Sequence, residues 1–472
     1  MSKYFKMKHL ILLVLGFLLL VDTANNLAFA DIVFIAPARP ENLEAIEVTG
    51  TKIVLSWNKS RSEVSRYKVY KDSTYVGSST ETTYTVENLE PNKEYEFYVR
   101  SESGKNNVSL ASEKLLVKTQ EVISNRIIGY YPAWKSYSGF TPDKIDAQKL
   151  THINYAFAYI GEGNKIKLGY PDKDKDNFNK LNELKKENPN LKILISVGGW
   201  NWSGKFSDTA STKAARAEFA KSCVEFLIEH SIDGVDLDWE YPVGGGLPGN
   251  NKSPQDKENF THLLKEIREK LNEQQLKDGK SYLLTIAGGA SNYYLKNIEP
   301  AKISEYLDFV NIMTYDLHGP WDEFTDFNSP LYNKKSPSPQ YDISVNSSVN
   351  AWLNAGFTGD KLVVGIPFYG YMYSASGNND GLLQSFAQGK ALSYSSIKTN
   401  YMNKSGYKRY FHSDARVPWL YDGNTFISYE DEESIRMKAE YISDEKLGGA
   451  MVWELSQDYN NELLNVIYEG LK

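Results

Sequence analysis

Eight short apolar runs recur after residue 125, and they restrict the folds open to this chain. They read "RIIGYY" (126–131), "THINYAFAYI" (151–160), "LKILISVGGW" (191–200) and "IDGVDLDWE" (232–240). They continue with "YLLTIAGG" (282–289), "FVNIMTYD" (309–316), "LVVGIPFYG" (362–370) and "GGAMVWEL" (448–455). Runs this apolar suit parallel strands covered on both faces. Helical patterns lie between them: Phe260, Leu263, Leu264, Ile267 and Leu271 form one stripe at helical spacing. Eight strand-then-helix units over 126–472 predict an α/β chain closed as a (β/α)8 TIM barrel. The stretch between the seventh and eighth runs is longer than one helix needs. A small α+β insertion is therefore expected near 371–430, walling one side of the barrel mouth.

The fourth run carries the chemistry. Asp236, Asp238 and Glu240 alternate with Val235, Leu237 and Trp239, so in a strand the three carboxylates share one face. Acids on an otherwise buried strand are costly, which points to function. Barrels of this kind place reacting groups at the C-terminal strand ends, and Glu240 is expected to end the fourth strand just before Pro242 and "GGGLPGN". Three like charges so close cannot all ionise; at least one proton is shared, and the outermost group, kept protonated, is a ready general acid. No obvious second acid lies across the site at the end of another strand.

Competing readings fail on particular residues. An EF-hand loop starting at Asp236 needs Gly at position six and Glu at twelve, where the chain has Tyr241 and Leu247. A D-x-D metal site fits Asp236 and Asp238, but no second ligand cluster accompanies them. A purely structural acid cluster is disfavoured by the cost of burying it. Gly244, Gly246 and Gly249 imitate a dinucleotide loop, yet Pro248 intrudes and the neighbouring carboxylates would repel a pyrophosphate. Gly199, Gly204 and Lys205 imitate a phosphate loop, but Phe206 stands where a hydroxyl is needed.

The rest of the chain sets the context. Residues 1–30 read as an export signal: Lys3, Lys6 and Lys8, then "LILLVLGFLLLV", then "AFA". Its removal takes away three lysines and Asp22, moving the formal charge from −7 to −9 and arguing against a nucleic-acid partner. The single Cys223 excludes an internal disulfide and sits on a helical apolar stripe as a packed thiol. The six histidines form no metal-binding pair, so neither metal nor cofactor is expected. Residues 38–119 read as short strands, with Trp57 on an early one and Leu89, Pro91 and Tyr95 ahead of a late one. This segment resembles a fibronectin type III β-sandwich with its tyrosine corner. It is expected to be a spacer more than a carbohydrate binder, because no exposed aromatic row stands out. A polar joint at 119–125 follows.

"IDGVDLDWE" is similar to the D-G-x-D-x-D-x-E signature of family 18 glycoside hydrolases, the bacterial chitinases in particular. "SVGGW" (196–200), "MTYD" (313–316) and "MVWELSQD" (451–458) resemble three further strands of that family. The resemblance implies that Glu240 protonates the glycosidic oxygen and that Asp238 holds the substrate's acetamido N–H, with Asp236 sharing its proton. It implies that Tyr315 helps the acetamido oxygen attack C1, with Met313 and Asp316 beside it and Trp453 as the floor. An oxazolinium intermediate and retained configuration follow, the known exception to two-carboxylate catalysis. Tyr131, Phe157, Trp200, Tyr241, Trp321 and Tyr369 are expected to offer flat apolar faces to sugar rings. One departure is Tyr371, which stands where the family commonly has arginine. The reading is thus an exported, monomeric chitinase acting on chitin or chitooligosaccharides, with no membrane attachment once the signal is gone. The alternatives are an endo-β-N-acetylglucosaminidase and a non-cleaving lectin, the latter disfavoured because Glu240 is present.

Overall fold

The structure is a computed structural model that describes residues 36–91, 93–104, 107–119, 125–334 and 342–472. The expected export signal and most of the joint at 119–125 lie outside the described residues. The chain divides into two compact units, Met1–Val122 and Ile123–Lys472.

The first unit has seven strands: β1 (Glu41–Val48), β2 (Ile53–Asn58), β3 (Arg66–Lys71), β4 (Thr74–Ser79), β5 (Thr83–Val86), β6 (Glu94–Glu102) and β7 (Leu115–Lys118). They form two antiparallel sheets, β1-β2-β5 and β4-β3-β6-β7. The period of two decides the core: Ile53, Leu55 and Trp57 of β2 and Tyr95, Phe97 and Val99 of β6 are all buried. The tyrosine corner forms as expected, the Glu90 N–H donating to the Tyr95 hydroxyl at 2.8 Å. Tyr75, Tyr70 and Tyr98 lie side by side across β4, β3 and β6, but of the three only Tyr75 is exposed. Tyr70 and Tyr98 are register partners stacked at 4.8 Å, so their faces cover each other, a cross-strand pair that stabilises the sheet.

In the second unit β8 (Arg126–Pro132), β9 (His152–Ile160), β11 (Lys192–Gly198), β12 (Gly234–Asp238), β13 (Leu283–Gly289), β14 (Phe309–Met313), β15 (Leu362–Pro367) and β21 (Gly449–Trp453) pair in parallel. β21 returns to pair with β8, closing the eight-stranded barrel, and a short β10 (Ile166–Leu168) adds an antiparallel hairpin to β9. The helix Asp256–Asp278 buries the predicted stripe Phe260, Leu263, Leu264, Ile267 and Leu271. Cys223 is buried, its thiol pushed up by that burial. After β15 the chain forms β16 (Tyr369–Ser374), β17 (Gly389–Ser393), β18 (Lys408–His412), β19 (Val417–Tyr421) and β20 (Thr425–Ser428). These make an antiparallel sheet ordered β17-β16-β20-β19-β18, with a short helix at Tyr394–Asn400. Among the described residues, no helix is long and apolar enough to cross a membrane.

Strand parity assigns the two faces of the barrel wall. Ile127 and Tyr131 of β8, and Val235, Leu237 and Trp239 of and after β12, pack outward against the helices. Ile128 and Tyr130 point inward, as do Asp236 and Asp238. β12 ends at Asp238, two residues earlier than expected, and Trp239 and Glu240 extend its alternation beyond the ladder.

Candidate active site

Asp236 is the deepest of the three acids and is fully buried. Four donors from four other strands converge on it: Tyr130 Oη at 2.7 Å, Ser196 Oγ at 2.7 Å, Thr285 Oγ1 at 2.6 Å and Asn311 Nδ2 at 3.3 Å. Burial raises its pKa and the hydrogen bonds oppose that rise. All four of these donors are neutral side chains, and the charge of Asp236 acts in turn on Asp238.

Asp238 lies one step higher, at the cavity floor. Its Oδ1 is buried without a hydrogen-bond partner among the described residues. Burial, then the charges of Glu240 and Asp236, hold its carboxyl well above the usual range. Glu240 stands at the next level, its pKa pushed up to about 7 by burial, with Asp316's charge adding to the rise and a hydrogen bond from Tyr241 opposing it. A buried, unpaired carboxylate is costly, so both groups retain protons that exposed carboxyls would lose.

Backbone contacts hold the two acids in place. Ser203 Oγ accepts the Glu240 N–H at 2.9 Å and donates towards the Gly199 and Asp238 carbonyls. Asn250 Nδ2 donates to the Glu240 carbonyl at 3.0 Å. Two glycines permit this closeness. A Cβ on Gly198 (φ +108°) would lie 2.3 Å from the Asp238 carbonyl oxygen, and one on Gly246 (φ +68°) would lie 2.1 Å from that of Glu240. The Gly-rich stretch after β12 is therefore a fold-over that packs on the acid.

Across the cavity, Tyr315 and Asp316 follow β14. Among the described residues, the Tyr315 hydroxyl donates to Met451 Sδ at 3.8 Å, and the charges of Asp238, Asp316 and Glu240 act on it. Asp316 has φ 55°, a left-handed conformation that Asp tolerates, with its N–H fixed on Asn328 Oδ1 at 2.8 Å. Its Oδ1 accepts both the Tyr369 hydroxyl and the Tyr371 hydroxyl, the latter at 2.7 Å. Asp316 thus stands in the pocket beside Tyr315, as the resemblance implies, with one of its oxygens already occupied by two tyrosines.

These groups line one cavity of about 800 Å³. Of the expected ring contacts, Phe157, Trp200, Tyr241 and Trp453 line it, as do Met313, Tyr315 and Asp316. Tyr131 does not: it points outward, stacked on Tyr155 and hydrogen-bonded to Ser136 and the Phe140 carbonyl. The parity of β8 gives the inward place to Tyr130. Tyr369 sits behind Asp316 as its donor, and Trp321, well exposed, packs edge to face on Tyr371 outside the lining. Among the described residues lining this cavity none belongs to 371–430, and the insertion meets the site through the Tyr371 hydroxyl on Asp316. Several lining rings were not foreseen: Trp134, Tyr170, Trp202, Tyr293 and Tyr294 come from loops or short helices where no strand period marks them. Trp134 stacks on Phe157, which stacks on Trp453, forming a continuous apolar wall.

A parallel barrel whose mouth holds a protonatable carboxyl inside an aromatic cleft has the make-up of a glycoside hydrolase. The family model for glycosyl hydrolases family 18 matches residues 126–458, and that for the fibronectin type III domain matches residues 38–115. The chain belongs to the family 18 glycosyl hydrolases, with a fibronectin type III domain ahead of the barrel. It is 43% identical over 409 residues to chitinase A1 of Niallia circulans, an alignment covering 74% of this chain but 58% of that longer protein. Among solved structures, a family 18 N-acetylglucosaminidase from Paenibacillus barengoltzii is 41% identical, with TM-score 0.68 over 74% of this chain and all of that one. Chitinase ChiA74 from Bacillus thuringiensis is 36% identical, with TM-score 0.70 over 74% of this chain and 70% of that one.

Proposed function

We propose that the protein is an exported chitinase that cleaves β-1,4-linked N-acetylglucosamine chains with the substrate's acetamido group as nucleophile. The observation carrying this reading is the buried Asp238 Oδ1, without a hydrogen-bond partner among the described residues, in the cavity that Glu240 and Tyr315 also line. Glu240 donates its proton to the glycosidic oxygen as the bond to C1 breaks. The acetamido oxygen attacks C1, Asp238 accepts the acetamido N–H, and the Tyr315 hydroxyl aligns the attacking oxygen. The resulting oxazolinium ring is opened by water at C1, and Glu240 takes back that water's proton. Both displacements invert C1, so configuration is retained. Aromatic faces on the cavity wall cover the sugar C–H faces. The test is the anomer first released from a chitin oligomer, read by NMR: β product supports the mechanism, and α product rejects it.

The resemblance to the Paenibacillus N-acetylglucosaminidase favours a second reading, removal of single sugars from a chain end. Products from a hexamer separate the two. Early trimer, or dimer with tetramer, supports internal cleavage, and early monomer with pentamer supports the second reading.

A further inference from the structure

Among the described residues, the lining of the cavity around Glu240 has three carboxyl side chains, Asp238, Glu240 and Asp316, and no basic residue. Asp316 lines that cavity; burial raises its pKa, and the hydrogen bonds from Tyr369 and Tyr371 oppose the rise and favour its charged form. Its Oδ1 is held by two neutral hydroxyls, so its charge is oriented without being neutralised. Basic groups that touch the same loop are already engaged. Lys334 is paired with Asp326 at 2.7 Å. Lys438 is paired with Glu430 and donates to the Ser329 carbonyl. His318 lies between Asp322 at 3.0 Å and Asp326 at 3.7 Å. Among the described residues no cation is hydrogen-bonded to Asp316, and its Oδ2 has no donor.

We propose that Asp316, oriented by Tyr369 and Tyr371, makes this enzyme prefer partly deacetylated chains, in which a sugar next to the reacting N-acetyl unit carries a free ammonium. This rests on the chitinase reading and narrows its substrate. The reacting unit keeps its acetamido group, which supplies the nucleophile. The neighbouring unit carries a 2-ammonium, the one cationic group such a polymer can offer, and an ammonium donating to Asp316 Oδ2 forms a charge-assisted hydrogen bond. A cleft with acidic groups and no basic ones also attracts such a chain before contact. Tyr371 is the specificity-setting position: an arginine there would place a fixed cation on Asp316 and compete with the substrate's own.

The experiment uses the full-length protein and N-acetylglucosamine tetramers, one fully acetylated and others with a single free amine at a defined position. At low salt and mildly acidic pH, kcat/KM for the tetramer whose amine neighbours the reacting unit should exceed that of the acetylated tetramer roughly fivefold, the scale of one favourable, partly screened ion pair. Added salt should shrink that ratio in the unaltered protein. The ratio should fall to about one or below in Tyr371→Arg and Asp316→Asn, each variant compared only with itself on the two substrates. If the acetylated tetramer is cleaved but no amine position gives an advantage, this inference is overturned while the chitinase reading stands. An advantage that persists in both variants or ignores salt also overturns it. If the acetylated tetramer is not cleaved at all, the chitinase reading falls first and takes this one with it.

Discussion

Tyr130 donates its hydroxyl to Asp236 Oδ2 at 2.7 Å, joining the first barrel strand to the fourth through the interior. With the donors from Ser196, Thr285 and Asn311, it lets a fully buried acid sit beneath the reacting pair. Tyr130→Phe removes one donor and keeps the ring. The expected loss is about 1–3 kcal/mol of stability, the cost of leaving a buried acceptor short of a partner. Asp236 then holds its proton more readily, the negative charge below Asp238 weakens, and the alkaline limb of the rate profile moves to lower pH. Denaturant unfolding and a pH–rate curve on a soluble oligomer measure both effects. An unchanged profile with reduced stability would leave Tyr130 a packing role alone.

Glu240→Gln should lower turnover by about 10²–10⁴-fold or more, the scale of general acid catalysis, while oligosaccharide affinity by calorimetry stays close to that of the unaltered protein. The pH dependence follows from the raised pKa. The acid works only when protonated, so activity should fall as pH rises through about 7. Stability has the same sign. A carboxyl whose folded pKa lies above its unfolded one stabilises the fold fully below the unfolded value and loses that contribution as pH rises through the folded value. Between the usual 4.5 and about 7, the unaltered protein should lose stability that the neutral amide does not. Thermal unfolding of Glu240→Gln should therefore gain on the original as pH increases across that window, and a constant difference would contradict the raised pKa.

Much of this was legible in period and spacing. The eight strands follow from their apolar runs, and the inward acids follow from alternation with Val235, Leu237 and Trp239. The tyrosine corner was legible because its turn and strand are contiguous in sequence. What failed was parity at a doublet: "YY" at 130–131 offers two rings, and only pairing with Ile128 shows that Tyr130 faces in. The cleft rings Trp134, Tyr170 and Trp202 belong to connecting segments, where no repeat says which way a side chain turns. The fate of Asp316 was hidden for another reason. Its partners Tyr369 and Tyr371 are more than fifty residues away, and two neutral hydroxyls on one oxygen leave no charge pattern to read.

Removing residues 31–120 should leave kcat/KM on soluble oligomers within about twofold, since a unit with its own core can fold alone. Every residue placed in the cavity lies in Ile123–Lys472, which has its own closed barrel and hydrophobic core. The control is the barrel's unfolding transition, which must survive the deletion. Slower release of sugar from insoluble chitin alone would give the first unit a role at the polymer surface, and Tyr75 with its stacked neighbours would be the place to look.

The strongest division among mechanisms comes from the reacting sugar's acetamido group. If it is the nucleophile, cellulose and fully deacetylated oligomers have nothing to attack C1 and should remain intact, whatever their affinity for the cleft. A thiazoline analogue of the cyclic intermediate should inhibit, because the site is complementary to that charged ring more than to the resting chain. Tyr315→Phe should reduce kcat about 10- to 100-fold with a smaller change in KM, since among the described residues its hydroxyl has only the Met451 Sδ contact to lose and acts by aligning the attack. The rival mechanism needs an enzyme carboxylate to bond to C1, and Asp316 is the lining acid across the cavity from Glu240. Its Oδ1 already accepts two hydroxyls, which weakens it as a nucleophile. Mass spectrometry after rapid quench decides the matter: a glycosyl ester on Asp316 or Asp238 would overturn acetamido participation, and its absence during turnover, with cellulose oligomers untouched, is the expected result.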